Sequence, residues 1–220
     1  AGSRIPHESV LVTCGAITRR RPEAVWMHFC HDEHLSVTGK LAHYEGRRLA
    51  WVSQVVSRAL ALLTERAVLL GGITQRPYPG TLLLVSPSQR SYLRTYVGNN
   101  VRTAIAPNVI YVNPVESKLC NGSSSSNGTL VVGFVGGEWG RKGLPKIIEA
   151  CGILNSCHVP VSLIVAGRGD SKWLTRYCAK WNVSVTYYNW IDDVSELLSK
   201  FSVFVVASAY ETFSVAGHEA

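Results

Sequence analysis

The feature that most constrains the fold of this chain is a regular alternation of apolar runs and amphipathic segments after residue 128. Short runs such as "TLVVGFV" and "VSLIVAG" alternate with stretches of helical periodicity such as "LPKIIEACGILN". This alternation is typical of βαβ units built around a parallel sheet. It predicts strands at 129–135, 161–167, 183–188 and 203–208, and helices at 144–155, 171–182 and 192–201.

The first half of the chain repeats the pattern less regularly, with predicted strands at 9–15, 24–30 and 81–86 and a long helix at about 47–68. Between the halves, "CNGSSSSNGT" is too poor in apolar residues to order itself, so it indicates a linker. We therefore predict one α/β domain at 1–118, a linker at 119–128 and a second α/β domain at 129–220. The first domain has too few strands for a complete sheet, and the chain opens without methionine, so we expect it to be a piece of a longer protein.

Composition and charge narrow the possible partners. The net charge is +7, and residues 1–120 hold 14 Lys and Arg against 7 Asp and Glu, whereas residues 121–220 hold 8 of each. A basic half suits an anionic lipid surface, and the candidate contacts are Arg19, Arg20, Arg21, Arg47 and Arg48. A nucleic acid is not expected, because no recognisable reading motif accompanies the basic residues. The alternative is an ordinary solvated surface.

The cysteines and apolar runs bear on the compartment. The six cysteines show no C-x-x-C pair and no regular spacing, so neither a disulfide framework nor a zinc ribbon is indicated. No apolar run approaches the roughly 18 to 20 residues that a membrane-spanning helix needs. We expect a protein of the reducing cytoplasm without a membrane-spanning helix.

A first candidate site is "VGFVGGEWGRKGL", where a predicted strand enters a glycine-rich turn and then a helix. Glycines let backbone N–H groups approach a ligand, and a helix N-terminus favours anions. The stretch contains neither the dinucleotide fingerprint nor a P-loop, since Lys142 is followed by Gly143. Arg141 and Lys142 supply two cations that would hold a diphosphate without a metal. The alternative is a plain strand-to-helix turn with solvated charges.

A second candidate site is "ASAYETFSVAGHEA", in which Glu211 and Glu219 stand eight residues apart. A loop and helix beyond the carboxyl end of a parallel strand is where open α/β sheets bind ligands. We expect Glu211 in the loop and Glu219 about two turns into the following helix, so that both reach one elongated polar ligand. The N–H groups of Phe213 to Val215 would face its negative charge. The alternative is a capping glutamate and an unrelated surface glutamate.

These motifs carry a family resemblance. "FVGGEWGRKGLPKIIEA", "IVAGRGD" and "YYNWIDDVSELLSKFSVFVVASAYETFSVAGHEA" resemble, in order and spacing, the second domain of family-4 retaining glycosyltransferases of the GT-B fold. The "GRKG" stretch is similar to that of lipopolysaccharide-core glucosyltransferases. The resemblance covers 129–220 and implies two Rossmann-like domains that face a cleft, both incomplete in this chain. Two positions depart from the family pattern, since Gly137 replaces a common arginine and Ala207-Ser208 replaces Pro-Ser.

The resemblance also implies a role for each matching residue. Arg141 and Lys142 would hold the diphosphate of a nucleotide sugar, Glu219 would bind the ribose, Glu211 would contact the transferred sugar as a catalytic residue, and the turn from Gly167 to Gly169 would lie near the base. The implied donor-binding set is Gly136, Gly137, Arg141, Lys142, Gly167, Gly169, Ser208, Thr212, Phe213, Ser214, Val215 and Glu219.

The first half resembles the family more loosely. "VWMHFCHDEHLSVTG" is similar to a strand and loop of exopolysaccharide glycosyltransferases, which makes His31 the residue expected to touch the donor sugar across the cleft. Apart from the resemblance, this stretch is dense in possible zinc ligands, namely His28, Cys30, His31, Asp32 and His34. Because the cluster straddles a predicted strand end, where alternating side chains face opposite ways, we do not expect a metal site.

The implied activity is transfer of a hexose, with retained configuration and without a metal, from a nucleotide diphosphate sugar to a glycan or lipid-linked acceptor. The setting would be synthesis of a cell-surface polysaccharide such as lipopolysaccharide, in the cytoplasm or on the inner face of the membrane. No cofactor is expected beyond the nucleotide sugar as co-substrate, most simply a UDP-sugar. Two alternatives stay open, a GT-B-fold sugar-nucleotide epimerase and a non-catalytic sugar-nucleotide-binding protein.

Overall fold

In the computed structural model of the chain, residues 10–15, 22–43, 48–70, 78–99, 101–110 and 128–220 are described. The chain divides into two compact units, one from residues 1–41 and 53–108 and the other from residues 42–52 and 109–220. Each unit holds one four-stranded sheet in which all neighbouring strands run parallel. The α/β class with parallel sheets is therefore confirmed.

The sheet of the first unit has the order β1-β2-β3-β4. Its elements, with the helices along the same part of the chain, are β1 (Val12–Cys14), β2 (Ala24–Met27), α1 (His31–Thr38), α2 (Arg48–Leu69), β3 (Thr81–Leu84), α3 (Pro87–Val97) and β4 (Arg102–Ile105). The strands are shorter than the sequence predicts. In particular β2 ends at Met27, because Cys30 caps α1 by accepting a hydrogen bond from the N–H of Glu33.

The sheet of the second unit has the order β7-β6-β5-β8. Its elements are β5 (Leu130–Val135), α4 (Leu144–Ser156), β6 (Val161–Ala166), α5 (Ser171–Lys180), β7 (Ser184–Tyr188), α6 (Val194–Leu198), β8 (Val203–Phe204) and α7 (Val215–Glu219). The predicted alternation of strands and helices after residue 128 is confirmed.

Local sequence explains these elements. In β6, alternate side chains at Val161, Leu163 and Val165 are buried, as expected for a strand under a helix layer. In α4, the buried side chains recur at a spacing of three or four residues, which is the apolar stripe of an amphipathic helix. Asp170 begins α5 by accepting hydrogen bonds from the N–H groups of Lys172 and Trp173.

Two elements near the end of the chain are shorter than predicted. Asp193 caps α6, so this helix starts one residue after the cap and runs for five residues rather than ten. The strand β8 has two residues, because beyond Val205 the chain turns so that the N–H of Ala209 bonds the carbonyl of Arg141. Glu219 lies in α7, the helix that follows the loop carrying Glu211, as expected.

Two predictions concern residues most of which the structure does not describe, namely the linker and the basic residues expected at a lipid surface. The predicted linker lies outside them except for Gly128, as do Arg19, Arg20, Arg21 and Arg47, so the domain boundaries stay a prediction. None of the described helices, α2 included, is long and apolar enough to cross a membrane.

Candidate active site

The predicted site residues of the second unit lie beyond the carboxyl ends of its strands. From β5 the chain proceeds to one side of the sheet for β6 and β7 and then returns to the other side for β8. The order of strands thus reverses beside β5, and open α/β sheets bind ligands in the crevice at such a reversal. The turn that follows β5 and the loop that follows β8 both open at this edge.

A pocket of the second unit lies at this edge, above β5, β6 and β7. Its volume is about 470 Å³, which is in the usual range for small-ligand sites. Three of the predicted donor-binding glycines line it, Gly136, Gly137 and Gly167. Its remaining lining residues are Val135, Ala166, Arg168, Asn189, Trp190, Ile191, Val194 and Leu197.

Sequence reasoning missed the aromatic and cationic wall of this pocket. Trp190 is 69% exposed, donates a hydrogen bond from Nε1 to Asp192 at 3.0 Å, and has the guanidinium of Arg168 at 5.6 Å from its ring centroid. Asn189 and Ile191 flank it in the turn after β7. The available signal was positional, since Arg168 and Asn189 come directly after predicted parallel strands, whose carboxyl ends share one edge of the sheet.

A buried tryptophan supports both glycine turns. The indole of Trp139 is 2% exposed, and its Nε1 donates to the carbonyl of Gly136 at 3.1 Å. A Cβ at Gly169 would overlap the same indole, so only glycine fits over it. Gly169 therefore serves the structure as a close-packing position beneath the pocket, whereas Gly167, with φ of 121°, lies in the pocket wall.

Lys142 stands at a second, smaller pocket between β5 and β8. This pocket has a volume of about 10 Å³ and includes Ser208 and Ser214 among its lining residues. The Lys142 side chain extends over Gly136, since a Cβ there would come within 2.7 Å of Nζ. Among the described residues Nζ has no hydrogen bond or ion pair, so this cation is available to a ligand.

Arg141, the other predicted cation, is engaged with the protein. Its side chain is 11% exposed, Nε donates to Glu138 Oε2 at 2.6 Å, and Nη1 donates to the carbonyl of Tyr210 at 2.8 Å. The same Nη1 is 3.8 Å from Glu211 Oε2. The diphosphate role that the resemblance implies for Arg141 stays a prediction, but its contacts bind the glycine turn to the loop that carries Glu211.

Glu211 lies in that loop, as predicted. Its side chain is 25% exposed, and Ser208 Oγ donates to Oε2 at 3.4 Å. The other predicted residues of this segment, Thr212, Phe213, Val215 and Glu219, line neither of the two pockets. The ring of Phe213 stacks on that of His218 at a centroid distance of 4.5 Å.

His31 belongs to the first unit, so its predicted contact with the donor sugar stays a prediction. It is the first residue of α1 and not the end of a strand, which corrects the placement of the histidine and cysteine cluster in the sequence analysis. Glu65 of α2, 1% exposed, accepts hydrogen bonds from the N–H groups of His31 and Asp32 at 2.9 and 3.0 Å. Sequence reasoning missed this long-range cap.

The other members of the cluster contact protein groups. Cys30 Sγ lies 3.5 Å from Glu65 Oε1, and Asp32 accepts hydrogen bonds from Arg66 Nε at 2.9 Å and Tyr92 Oη at 2.7 Å. Burial, with a smaller contribution from the charge of Glu65, raises the pKa of the Cys30 thiol. Within the described ranges, no group of three or more His, Cys, Asp and Glu side chains is arranged to hold a metal ion.

Residues 129–220 match the sequence model of the family described as "Glycosyl transferases group 1", a segment that is less than half of the chain. No curated protein matches the sequence of the chain.

Two solved structures resemble the fold. TarM has a TM-score of 0.50 and 12% identity, and the alignment covers 89% of this chain and 34% of TarM. The α,α-trehalose 6-phosphate synthase from Burkholderia multivorans has a TM-score of 0.52 and 12% identity, over 89% of this chain and 48% of the synthase. Both are GT-B glycosyltransferases, so the fold is of the GT-B class. The chain spans about a third to a half of these proteins.

Proposed function

We propose that the protein is a retaining glycosyltransferase that moves a hexose from a nucleoside diphosphate sugar, in the first instance a UDP-sugar, to a hydroxyl of a glycan or lipid-linked acceptor. The observation that carries the proposal is the 470 Å³ pocket beside Lys142 at the carboxyl edge of the second sheet. The family match over 129–220 supports the same reading.

The pocket fits a nucleoside in size and chemistry. Its wall joins an apolar side, with Ile191 and Leu197, to an exposed aromatic ring, Trp190, and to a polar amide, Asn189. An apolar pocket with a few polar groups is the common form of a small-ligand site. We assign the base to this pocket, with the glycines giving the backbone room to approach.

The diphosphate would then extend towards Lys142, Ser208 and Ser214, which line the neighbouring small pocket. As the glycosidic bond breaks, negative charge grows on the leaving diphosphate. A preorganised cation therefore stabilises the transition state more than the ground state. Because Lys142 would neutralise the negative charge of the diphosphate without a metal ion, we propose that the donor binds independently of a metal.

Glu211 would orient the transferred sugar. Its Oε2 faces Ser208, and no hydrogen bond to Oε1 is found within the described part of the chain. That oxygen is thus available to a sugar hydroxyl, and its charge would compensate positive charge at the anomeric carbon. Departure of the diphosphate and attack of the acceptor on the same face would retain configuration, and no second carboxylate is assigned as a nucleophile.

The acceptor and location follow as parts of the proposal. The basic first half suits an anionic lipid surface on the cytoplasmic side, where a lipid-linked acceptor for a cell-surface polysaccharide such as lipopolysaccharide is available. His31 of the first unit would contact the donor sugar, and Glu219 the ribose.

Calorimetry of the purified protein with UDP and GDP, each with and without EDTA, tests the donor site. We expect UDP to bind equally in both conditions. Lys142→Ala should weaken UDP by about 1.5 to 3 kcal/mol, the range for a hydrogen bond to a charged group. Lys146→Ala is the matched control, since Lys146 is 77% exposed and pairs with Glu149 on the surface of α4.

Product analysis separates the alternatives. Transfer to an acceptor, or release of UDP and free sugar from a UDP-sugar, would support the glycosyltransferase. Interconversion of the donor sugar without an acceptor would identify an epimerase, and an intact donor after long incubation with every acceptor would identify a non-catalytic binder. Binding that disappears with EDTA would contradict the metal-free site.

A further inference from the structure

Arg141, in the glycine-rich turn, makes contacts that are unusual for a residue that binds phosphate. Both the main chain and the side chain of Arg141 bond the loop after β8, since the N–H of Ala209 donates to the Arg141 carbonyl at 2.8 Å and Nη1 donates to the carbonyl of Tyr210. The Tyr210 residue is 6% exposed. One residue thus fixes two consecutive positions directly before Glu211.

A carboxylate holds the other side of the guanidinium. Glu138 accepts from Nε at 2.6 Å, and its backbone has a φ of 50°, a conformation that residues other than glycine, asparagine and aspartate seldom adopt. A strained conformation persists where the surroundings maintain it, and such positions cluster at functional sites. The strained turn directs the Glu138 side chain at Arg141.

Lys142, the neighbouring cation, makes different contacts. Lys142 is half-buried, extends over Gly136, and lines the small pocket with Ser208 and Ser214, whereas Arg141 lines neither pocket. Two adjacent cations therefore have different surroundings. One faces the ligand space and the other faces protein oxygens.

We propose that Arg141, held by Glu138, is a positioning residue that sets the geometry of Glu211, and that Lys142 alone of this pair is the cation for the diphosphate. The inference rests on the proposed function, because it assigns Glu211 to the transferred sugar. Arg141 sets the loop through Ala209 and Tyr210 and lies 3.8 Å from Glu211 Oε2, which turns that oxygen towards the protein. The other carboxylate oxygen then faces the sugar.

The planar guanidinium is essential to this role, because Nε and Nη1 bind two groups in fixed directions. An ammonium at the same position keeps the charge but cannot bond Glu138 and the Tyr210 carbonyl with the same fork. Arg141→Lys therefore separates geometry from charge. Glu138→Asn tests the same contact from the other side, since asparagine tolerates positive φ and its shorter side chain does not reach Nε.

The experiment compares Arg141→Lys, Glu138→Asn, Lys142→Ala and the control Lys146→Ala in the purified protein. Three quantities are measured, namely UDP affinity by calorimetry, kcat and KM for UDP-glucose hydrolysis, and amide hydrogen exchange of the 207–211 loop. Circular dichroism melts verify that each variant is folded.

We expect Arg141→Lys to lower kcat by about tenfold or more, the effect of losing one hydrogen bond to a charged group, with UDP affinity and donor KM changed less than about threefold. Exchange in 207–211 should accelerate. Glu138→Asn should act in the same direction, and Lys142→Ala should weaken UDP by about tenfold or more while exchange in the loop stays unchanged.

Two results would overturn the proposal. One is an Arg141→Lys variant with wild-type kcat and loop exchange, and the other is a loss of UDP affinity equal to that of Lys142→Ala without faster exchange in 207–211. The exchange measurement needs no ligand. If the wild-type protein binds no UDP, the proposed function fails, and unchanged exchange in both Arg141→Lys and Glu138→Asn separately refutes the positioning role.

Discussion

Replacing Trp139 by phenylalanine should destabilise the second unit by about 1.5 to 3.5 kcal/mol. The indole Nε1 donates to the Gly136 carbonyl at 3.1 Å, and loss of one such hydrogen bond costs about 0.5 to 1.5 kcal/mol. The indole is 2% exposed and packs against Trp173 and Tyr187 at centroid distances of 6.0 and 5.6 Å.

The remaining cost comes from the void that the smaller ring leaves. Complete truncation of a buried aromatic side chain to alanine costs about 3 to 5 kcal/mol. Because phenylalanine retains much of the volume of the indole, we assign about 1 to 2 kcal/mol to the void. UDP affinity should fall as well, because Trp139 contacts both Gly136 and Gly169. The substitution removes the rigid indole that supports both glycine turns.

Native-state hydrogen exchange of peptides from β5 and β6 measures this change in the second unit separately from the first. Trp190→Phe is the matched control, since that ring is 69% exposed and its loss should change the free energy of unfolding by less than about 0.5 kcal/mol. A Trp139→Phe variant within 0.5 kcal/mol of wild type would show that the indole does not support the turns as described.

Three further predictions concern the glutamates and the charge of the first half. Glu211→Gln should lower kcat for UDP-glucose with little change in donor KM, and Glu219→Gln should mainly raise donor KM, whereas unchanged steady-state constants in both variants would indicate only capping and surface roles. Burial, opposed by the hydrogen bonds from His31 and Asp32, raises the pKa of Glu65 above its ordinary 4.5, so the folded unit retains this proton to higher pH than the unfolded chain. The free energy of unfolding of the first unit should therefore fall as pH rises from 4.5 through the folded-state pKa. Glu65→Gln should remove this part of the pH dependence, which hydrogen exchange of α1 measures across pH. An identical pH dependence in the variant would contradict the prediction. Sedimentation with vesicles should show binding to anionic but not neutral lipid that weakens with salt, and equal binding to both would refute the membrane proposal.

The sequence alone determined the local elements of the second unit and the edge of the sheet where its candidate site lies. Alternation of apolar runs with helical periodicity predicts parallel βαβ units, because each element must bury one face. Glycines after the first strand and Glu211 after the last predict a ligand edge, and Gly136, Gly137 and Gly167 do line its pocket. These inferences depend only on neighbours in the chain and on one topological rule.

Only the tertiary structure decided what the individual side chains contact. Adjacent cations look equivalent in the sequence, yet Arg141 bonds the carbonyl of Tyr210, 69 residues away, while Lys142 faces the pocket. Likewise Glu65 caps a helix that begins 34 residues before it, and Trp190 lines a pocket whose glycines follow other strands, β5 and β6. Such contacts depend on how the helices and strands pack against one another. The spacing of residues along the chain does not specify which side chains this packing brings together.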